Sequence, residues 1–410
     1  MVKYFKNNFL ESSIKILFLN LFLLPIYPDN FKPTVVGLFC LFSILFFIIK
    51  DLSFKVEKKK IIHLLIINSL PFLVILITLF YTDNINYGLV LLFRILPLIL
   101  FPLAFYLLKS NKILFTNKIL TLAKLFFYFS VLFLFISICI YFFFKGFVTK
   151  NFFLNYSYRI IYQIGYYSIH PIYASIYTSI ALLFSISLFK IKKYKLFILV
   201  GNILLIINLL LLSRKSAIFM MTVIFLVYLI YNHKINFKTK IIAFICLITI
   251  GFSIYKFVPD ISNRFKDLVG FMQKDNHKSS SNLRLNIYKT SVSLLKEKPL
   301  FGYGIGSGEE VLFQKEKLNN YFKGKHYNSH NQYLAYLLNT GVFGLLVFLF
   351  SIFKNIKLAF LNSFEHLSLL FFFMFLMFIE NILDRQNGVI MFSLFINYFA
   401  FFAVLNSKYE

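Results

Sequence analysis

The run Ile119-Leu-Thr-Leu-Ala-Lys124-Leu-Phe-Phe-Tyr-Phe-Ser-Val-Leu-Phe-Leu-Phe-Ile-Ser-Ile-Cys139-Ile-Tyr-Phe-Phe-Phe144 carries a single charge, Lys124. A stretch of about 20 mainly apolar residues is long enough to cross a bilayer as a helix. The rest of the chain repeats this theme. Of 410 residues, 59% are hydrophobic and only 14% charged, and the mean hydropathy is +0.77. A soluble domain holds roughly 45–50% apolar and about 25% charged residues, so a soluble or a disordered chain is excluded. Twelve apolar segments can be drawn: Ile14–Tyr27, Thr34–Ile49, Ile61–Phe80, Gly88–Leu108, Ile119–Phe144, Tyr167–Phe189, Leu196–Leu212, Ser216–Tyr231, Thr239–Val258, Gln332–Phe353, His366–Ile379 and Gly388–Leu405. The first resembles a signal peptide but is followed by Pro25, Tyr27 and Pro28 rather than a small-x-small cleavage site, and is read as an uncleaved span.

Charge sets the orientation. Lys plus Arg number 43 against 16 Asp plus Glu, a formal net charge of +27. A nucleic-acid binder gathers its basic residues on one polar face; here they sit in short gaps between apolar runs, so no nucleic-acid partner is expected. One alternate set of loops is rich in Lys, including Lys3, Lys6, Lys58 to Lys60, Lys109, Lys118, Lys190 to Lys195 and Lys354. The other set holds little beyond Lys32, Lys145, Lys150, Arg159, Arg214, Lys215 and Arg385. Cytoplasmic loops keep Lys and Arg, which places both termini in the cytoplasm and the long segment Pro259–Asn331 outside. Three regions follow: residues 1–258 with nine spans, 259–331 as the outer loop, and 332–410 with three spans. Carboxylates nowhere cluster as an oxygen cage for Mg²⁺ or Ca²⁺ would require. Cys40, Cys139 and Cys246 fall in apolar runs without CxxC spacing, and read as buried apolar residues. No metal or cofactor is expected.

Within the outer loop, Ser281–Lys298 places Leu283, Ile287, Leu294 and Leu295 at near-helical spacing, which predicts an amphipathic helix on the membrane boundary. Pro299 stops it, and Gly302, Gly304, Gly306 and Gly308 alternate after it. Without a preceding strand they are no dinucleotide fingerprint. They read as a tight turn or as a backbone offering N–H groups to an anion. The run His326-Tyr-Asn-Ser-His330-Asn331-Gln-Tyr-Leu334 leads into the tenth span. His330 is an interfacial residue or a proton-transfer group near neutral pH. Arg214, in the short outward turn Ser213-Arg-Lys-Ser216, and Arg284, on the surface helix, are interfacial anchors or forks for phosphate oxygens. Inside spans, Arg94, Lys124, Lys256 and Glu380 need partners. Arg94 is expected to face the interior, while Lys256 and Glu380, near span ends, are expected to snorkel. His170-Pro171 opens the sixth span at the same outer level.

Several of these elements together resemble the O-antigen ligase and polymerase family of bacterial inner-membrane glycan transferases. They are Arg284-x-x-x-Tyr288, Pro299-Leu-Phe-Gly302-Tyr-Gly304-Ile-Gly306, His330-Asn331-x-x-Leu334, Gly341-x-x-Gly344, the Ser213-Arg214 turn and Glu380-Asn-Ile-Leu-Asp384-Arg385-Gln386-x-Gly388. Tyr288 stands where that family often has Trp. The resemblance implies an all-α, GT-C-like membrane fold with about twelve transmembrane helices and a long periplasmic loop. It implies transfer of a glycan from undecaprenyl diphosphate to a glycolipid or glycan acceptor on the periplasmic side: lipid A-core in a ligase of lipopolysaccharide assembly, another lipid-linked repeat in a polymerase. Carried over by position, His330, Arg214 and Arg284 are the catalytic residues, and Asn331, Tyr288, Gly304, Gly306, Arg94, His170 and His326 line the substrate site. Two other classes compete. A twelve-span transporter usually shows related halves, which are not evident here, and its long loop would follow the sixth span rather than the ninth. A non-catalytic scaffold for glycan assembly would tolerate changes at Arg214, Arg284 and His330.

Overall fold

The computed structural model describes residues 2–49, 58–111, 113–148, 152–232, 236–238, 240–241, 280–317 and 328–406. Every regular element among them is helical. In chain order these are α1 (Val2–Leu21), α2 (Lys32–Ile49), α3 (Lys58–Ile77), α4 (Ile85–Ile95), α5 (Pro97–Leu107), α6 (Asn117–Phe144), α7 (Phe152–Tyr162) and α8 (Pro171–Leu188). There follow α9 (Lys195–Leu212), α10 (Lys215–Tyr231), α11 (Ser280–Leu295), α12 (Ser307–Lys317), α13 (Gln332–Asn362), α14 (Phe364–Met377) and α15 (Gln386–Asn406).

Seven helices among the described residues are long and apolar enough to cross a membrane, and the bent pair α4–α5 makes an eighth. Helices α10 and α14 are shorter apolar helices. The expected twelve spans are therefore met in part. Of Thr239–Val258 only residues 240 and 241 are described. The first expected span is the end of α1, whose opening half carries Lys3, Lys6, Asn7, Asn8 and Glu11, and Pro25 and Pro28 then turn the chain. The expected fourth span is broken. Pro97 lacks the N–H that would continue the ladder, and α4 and α5 meet at 41°.

Two helices form the centre. The spanning windows of α8 and α15 are each 83% buried, against 39% for α2 and for α9, which face lipid on one side. Helix α8 can sit there because small polar side chains line it and satisfy themselves: Ser175 Oγ donates to Ile172 O at 2.7 Å and Thr178 Oγ1 to Ala174 O at 2.8 Å. Around α15, Tyr398 packs among Phe18, Phe22, Phe105 and Phe115. Asn68 Nδ2 donates to Asn397 Oδ1 at 2.9 Å, and Asn355 Nδ2 to Asn68 Oδ1 at 2.8 Å, which ties α3, α13 and α15 together.

The glycine loop packs between the break in α13 and the residues that follow α3. Helix α13 breaks at Gly341, with φ 65° and ψ −168°, which strands backbone groups on both sides of the break. The loop before α12 takes them up. Val342 N–H donates to Pro299 O at 2.9 Å, Tyr303 N–H to Leu338 O at 2.7 Å, and Gly304 N–H to Asn339 O at 3.0 Å. On its other side, Ile305 N–H donates to Thr78 Oγ1 at 2.9 Å and Thr82 Oγ1 donates to Ile305 O at 2.8 Å. The predicted surface helix appears as α11, ending before Pro299, and buries Ile287 and Leu294 against Tyr303, Leu312 and Leu338.

Candidate active site

His330 occupies the turn into α13 with φ 44°, in the left-handed region that residues other than glycine rarely adopt. Its neighbours hold it there. Asn331 is the N-cap of α13, and its Oδ1 accepts from Tyr333 N–H at 2.9 Å and Leu334 N–H at 3.2 Å. Asn381 Oδ1 accepts from Asn331 N–H at 2.7 Å and from Ser329 Oγ at 3.1 Å. The Tyr288 hydroxyl lies 3.2 Å from the His330 carbonyl oxygen and 3.1 Å from that of Phe378. Asn381 in turn donates to Asp384 Oδ2 at 2.6 Å, and Gln332 Nε2 donates to Asp384 Oδ1 at 3.1 Å. Thus the Glu380–Asp384 turn, between α14 and α15, clamps the backbone on both sides of His330.

Glu380 holds the side chain. Its Oε2 lies 3.2 Å from His330 Nδ1, and its Oε1 lies 3.2 Å from Arg284 Nη2. Burial works against ionising Glu380, but the hydrogen bond and charge of His330, then the charges of Arg284 and His170, outweigh it and hold the carboxyl below its ordinary value. An ionised carboxylate only accepts hydrogen bonds, so it takes the proton on Nδ1 and leaves Nε2 as an acceptor. The expectation that Glu380 snorkels is therefore corrected: with only 20% of its side chain exposed, it is turned inward to the Arg284 guanidinium and the His330 imidazole. Lys124 has likewise found a partner, Glu365, and Lys256 lies outside the described residues.

Arg214 reaches the same region from α10. Ser213, left-handed at φ 53°, reverses the chain after α9, and Arg214 caps the start of α10. Its charge acts on His170, as do those of Glu380, Arg385 and His330. His170 caps α8, its Nδ1 accepting from Ile172 N–H at 3.4 Å. Burial, then Arg214, Arg385 and His330, press its pKa down to about 4 against the opposing pull of Glu380. Glu380 thus pairs with Arg284 and His330, and Arg214, Arg385, Glu380 and His330 all act on His170; basic groups brought together in this way suit a polyanionic group such as a diphosphate.

Other sequence-derived candidates fall elsewhere. Gly304 and Gly306 are packing positions: a Cβ on Gly304 would meet Thr82 Cβ at 2.7 Å, one on Gly306 would meet Gly88 N at 2.7 Å, and both have positive φ. The Gly304 N–H is already spent on Asn339, which favours the turn reading over the anion reading. Arg94, expected to face inward, is exposed, because the bend after Ile95 interrupts the span next to it. His326 lies outside the described residues. Glu380 and Asn381 are what the sequence reading missed as site residues. A carboxylate beside a carboxamide at the end of an apolar run was the available signal.

Comparison with known proteins is consistent with this geometry. A curated protein of Haemophilus influenzae, described only as uncharacterized, is 29% identical over 157 residues, which are 35% of this chain and 39% of that protein. The match therefore spans about two fifths of the relative's length. The family model described as O-Antigen ligase matches residues 200–349, the stretch that carries Arg214, Arg284, Tyr288, the glycine loop and His330, so this part of the chain is similar to the O-antigen ligase family.

Proposed function

We propose that this multi-pass membrane protein transfers a glycan from undecaprenyl diphosphate to a sugar hydroxyl at the periplasmic face of a bacterial inner membrane, ligating O-antigen to lipid A-core. The observation that carries the reading is Glu380 bridging His330 Nδ1 and Arg284 Nη2, each at 3.2 Å. That bridge makes a base and an anion-binding fork parts of one device. His330 Nε2 accepts the proton of the acceptor hydroxyl, a role worth about 10²–10⁴ in rate. The acceptor oxygen bonds to the anomeric carbon as the bond from that carbon to the phosphate oxygen breaks. Direct displacement inverts the anomeric centre, and undecaprenyl diphosphate leaves with the bonding pair. Arg214 and Arg284 stabilise the charge that grows on the departing diphosphate.

Arg284 has 37% of its side chain exposed and can exchange partners. When a diphosphate takes its guanidinium, Glu380 is left with its full charge on His330, at the moment the imidazole gains a proton. The test is reconstitution of the purified protein with lipid-linked glycan and lipid A-core, followed by product analysis. His330→Ala should abolish detectable transfer while the protein stays folded. Unimpaired transfer by a folded H330A would remove the base from the mechanism, and transfer to a second lipid-linked repeat in place of lipid A-core would reassign the acceptor.

A further inference from the structure

Helix α7, which lies between two of the expected apolar spans, presents a row of tyrosines beside the proposed site. Tyr158 and Tyr162, one turn apart on one face, are 58% and 67% exposed, with ring centroids 4.7 Å apart. Tyr166 and Tyr167 follow in the turn to His170, at 85% and 52% exposed. Four of the ten residues from 158 to 167 are thus tyrosines with more than half of their surface exposed.

The back of α7 fixes where these rings stand. Tyr156, buried, donates from its hydroxyl to Asn208 Oδ1 at 3.0 Å, and Ser157 Oγ donates to Leu212 O at 2.9 Å. Leu212 ends α9 one residue before Ser213-Arg214, so α7 is docked onto the turn that carries Arg214. At its far end Ile169 N–H donates to Ile160 O at 3.1 Å, which folds the chain back and delivers His170 to the cation cluster. Tyr141 donates to Gln163 O at 3.1 Å and pins the turn. The tyrosine row is thus continuous with the His170, Arg214 and His330 region.

We propose that Tyr158, Tyr162, Tyr166 and Tyr167 form a glycan-binding track that stacks on the sugar units lying beyond the reacting end of the saccharide. The inference rests on the glycan-transfer reading and names where that substrate's chain runs. Sugar rings offer an apolar C–H face and a rim of hydroxyls; a tyrosine offers a flat apolar ring and a polar tip at low entropic cost. Such a track recognises the length of a saccharide rather than one sugar, and it leaves the chemistry at His330 untouched. The competing occupant is the lipid interface, where tyrosines also gather.

The chain contains no tryptophan, so Tyr162→Trp installs a unique emitter on the track. Purified Y162W in vesicles is titrated with size-fractionated polysaccharide released by mild acid from the host's own lipid-linked glycan, and separately with brominated phospholipid. The expected result is a saturable emission change with long fractions and little quenching by bromolipid. Quenching by bromolipid without a response to polysaccharide would assign the row to the interface and overturn the proposal. In transfer assays Tyr158→Leu with Tyr162→Leu, which keeps apolar bulk, should raise KM for a long-chain donor about three- to tenfold per ring. It should leave kcat and single-repeat donors unchanged, and Tyr162→Phe should behave as wild type. Equal loss with long and single-repeat donors would also overturn it. Wild-type transfer and its loss in H330A test the underlying reading separately.

Discussion

Replacing Glu380 by Gln tests the site most directly, because the change is almost isosteric. The carboxylate has two acceptors in use, Oε1 toward Arg284 Nη2 and Oε2 toward His330 Nδ1, both at 3.2 Å. Glutamine has one acceptor and one donor, so it can satisfy only one partner. A hydrogen bond from a charged group is worth about 1.5–3 kcal/mol against about 1 kcal/mol for a neutral pair. The amide oxygen therefore turns to Arg284 and the NH₂ group to the imidazole. That NH₂ needs Nδ1 as an acceptor, which moves the proton to Nε2 and removes the base. The loss in kcat should approach what a positioned base supplies, about 10²–10⁴, whereas KM for the donor should not rise, since Arg284 is no longer neutralised. The assay is initial-rate transfer in proteoliposomes for E380Q, H330A and the double variant, each checked for folding by gel filtration and circular dichroism. Since Glu380 acts through His330, E380Q should cost little further in the H330A background. A folded E380Q with wild-type kcat, or one whose loss adds in full to that of H330A, would refute the argument.

Three further outcomes follow from the same contacts. Glu380 titrates below the ordinary carboxyl value of 4.5, so its clasp is fully stabilising above that value and is lost as pH falls through the lower folded pKa; thermal melting should show an acid-side decline that E380Q lacks. Gly304→Ala puts a Cβ 2.7 Å from Thr82 Cβ at a φ of 88°. It should cost about 1–3 kcal/mol or more of stability, read as a lowered melting temperature, with donor KM unchanged in the protein that folds; a raised KM at normal stability would restore the anion-binding role. Lys124→Ala leaves Glu365 buried without its cation and should destabilise by about 3–5 kcal/mol, while Lys124→Met with Glu365→Leu should recover most of that loss in the same melting assay.

The sequence shows those features that repeat locally. Helix α6 is legible because its apolar run from Ile119 is long, although its start, where Thr116 Oγ1 accepts from Ile119 N–H at 3.3 Å, lies ahead of that run. Helix α8 could be placed from His170-Pro171, a cap followed by a first-turn proline. The Pro97 bend was hidden because the apolar composition continues straight through it. Helix α7 was hidden because its tyrosines resemble a polar connector. At the site, His330, Arg214 and Arg284 were recognisable as residue types that suit the chemistry. Their bridge was not, because Glu380 is 50 residues from His330 and 96 from Arg284, a separation that no periodicity reports. The glycine loop stays open between a turn and an anion cradle for the same reason: its partner is the break at Gly341, visible only once α13 is seen to bend.

The charge imbalance explains why one bridge carries so much. With 16 acidic residues against 43 basic ones, most cations cannot have a carboxylate of their own. Apart from Glu380, the acids seen in ion pairs sit at helix ends: Asp29 pairs with Lys32 one turn away at the start of α2, while Glu365 with Lys124 joins α14 to α6 and Glu297 with Lys315 joins the end of α11 to α12. Asp29 extends this by accepting from Asn387 Nδ2 at 3.0 Å, which joins α2 to α15. Each pair is a structural clasp whose cation is consumed. Glu380 differs, because its two oxygens are shared between the Arg284 guanidinium and the His330 imidazole. Removing that carboxylate would leave the imidazole without its orienting acceptor and would release Arg284 at the same time.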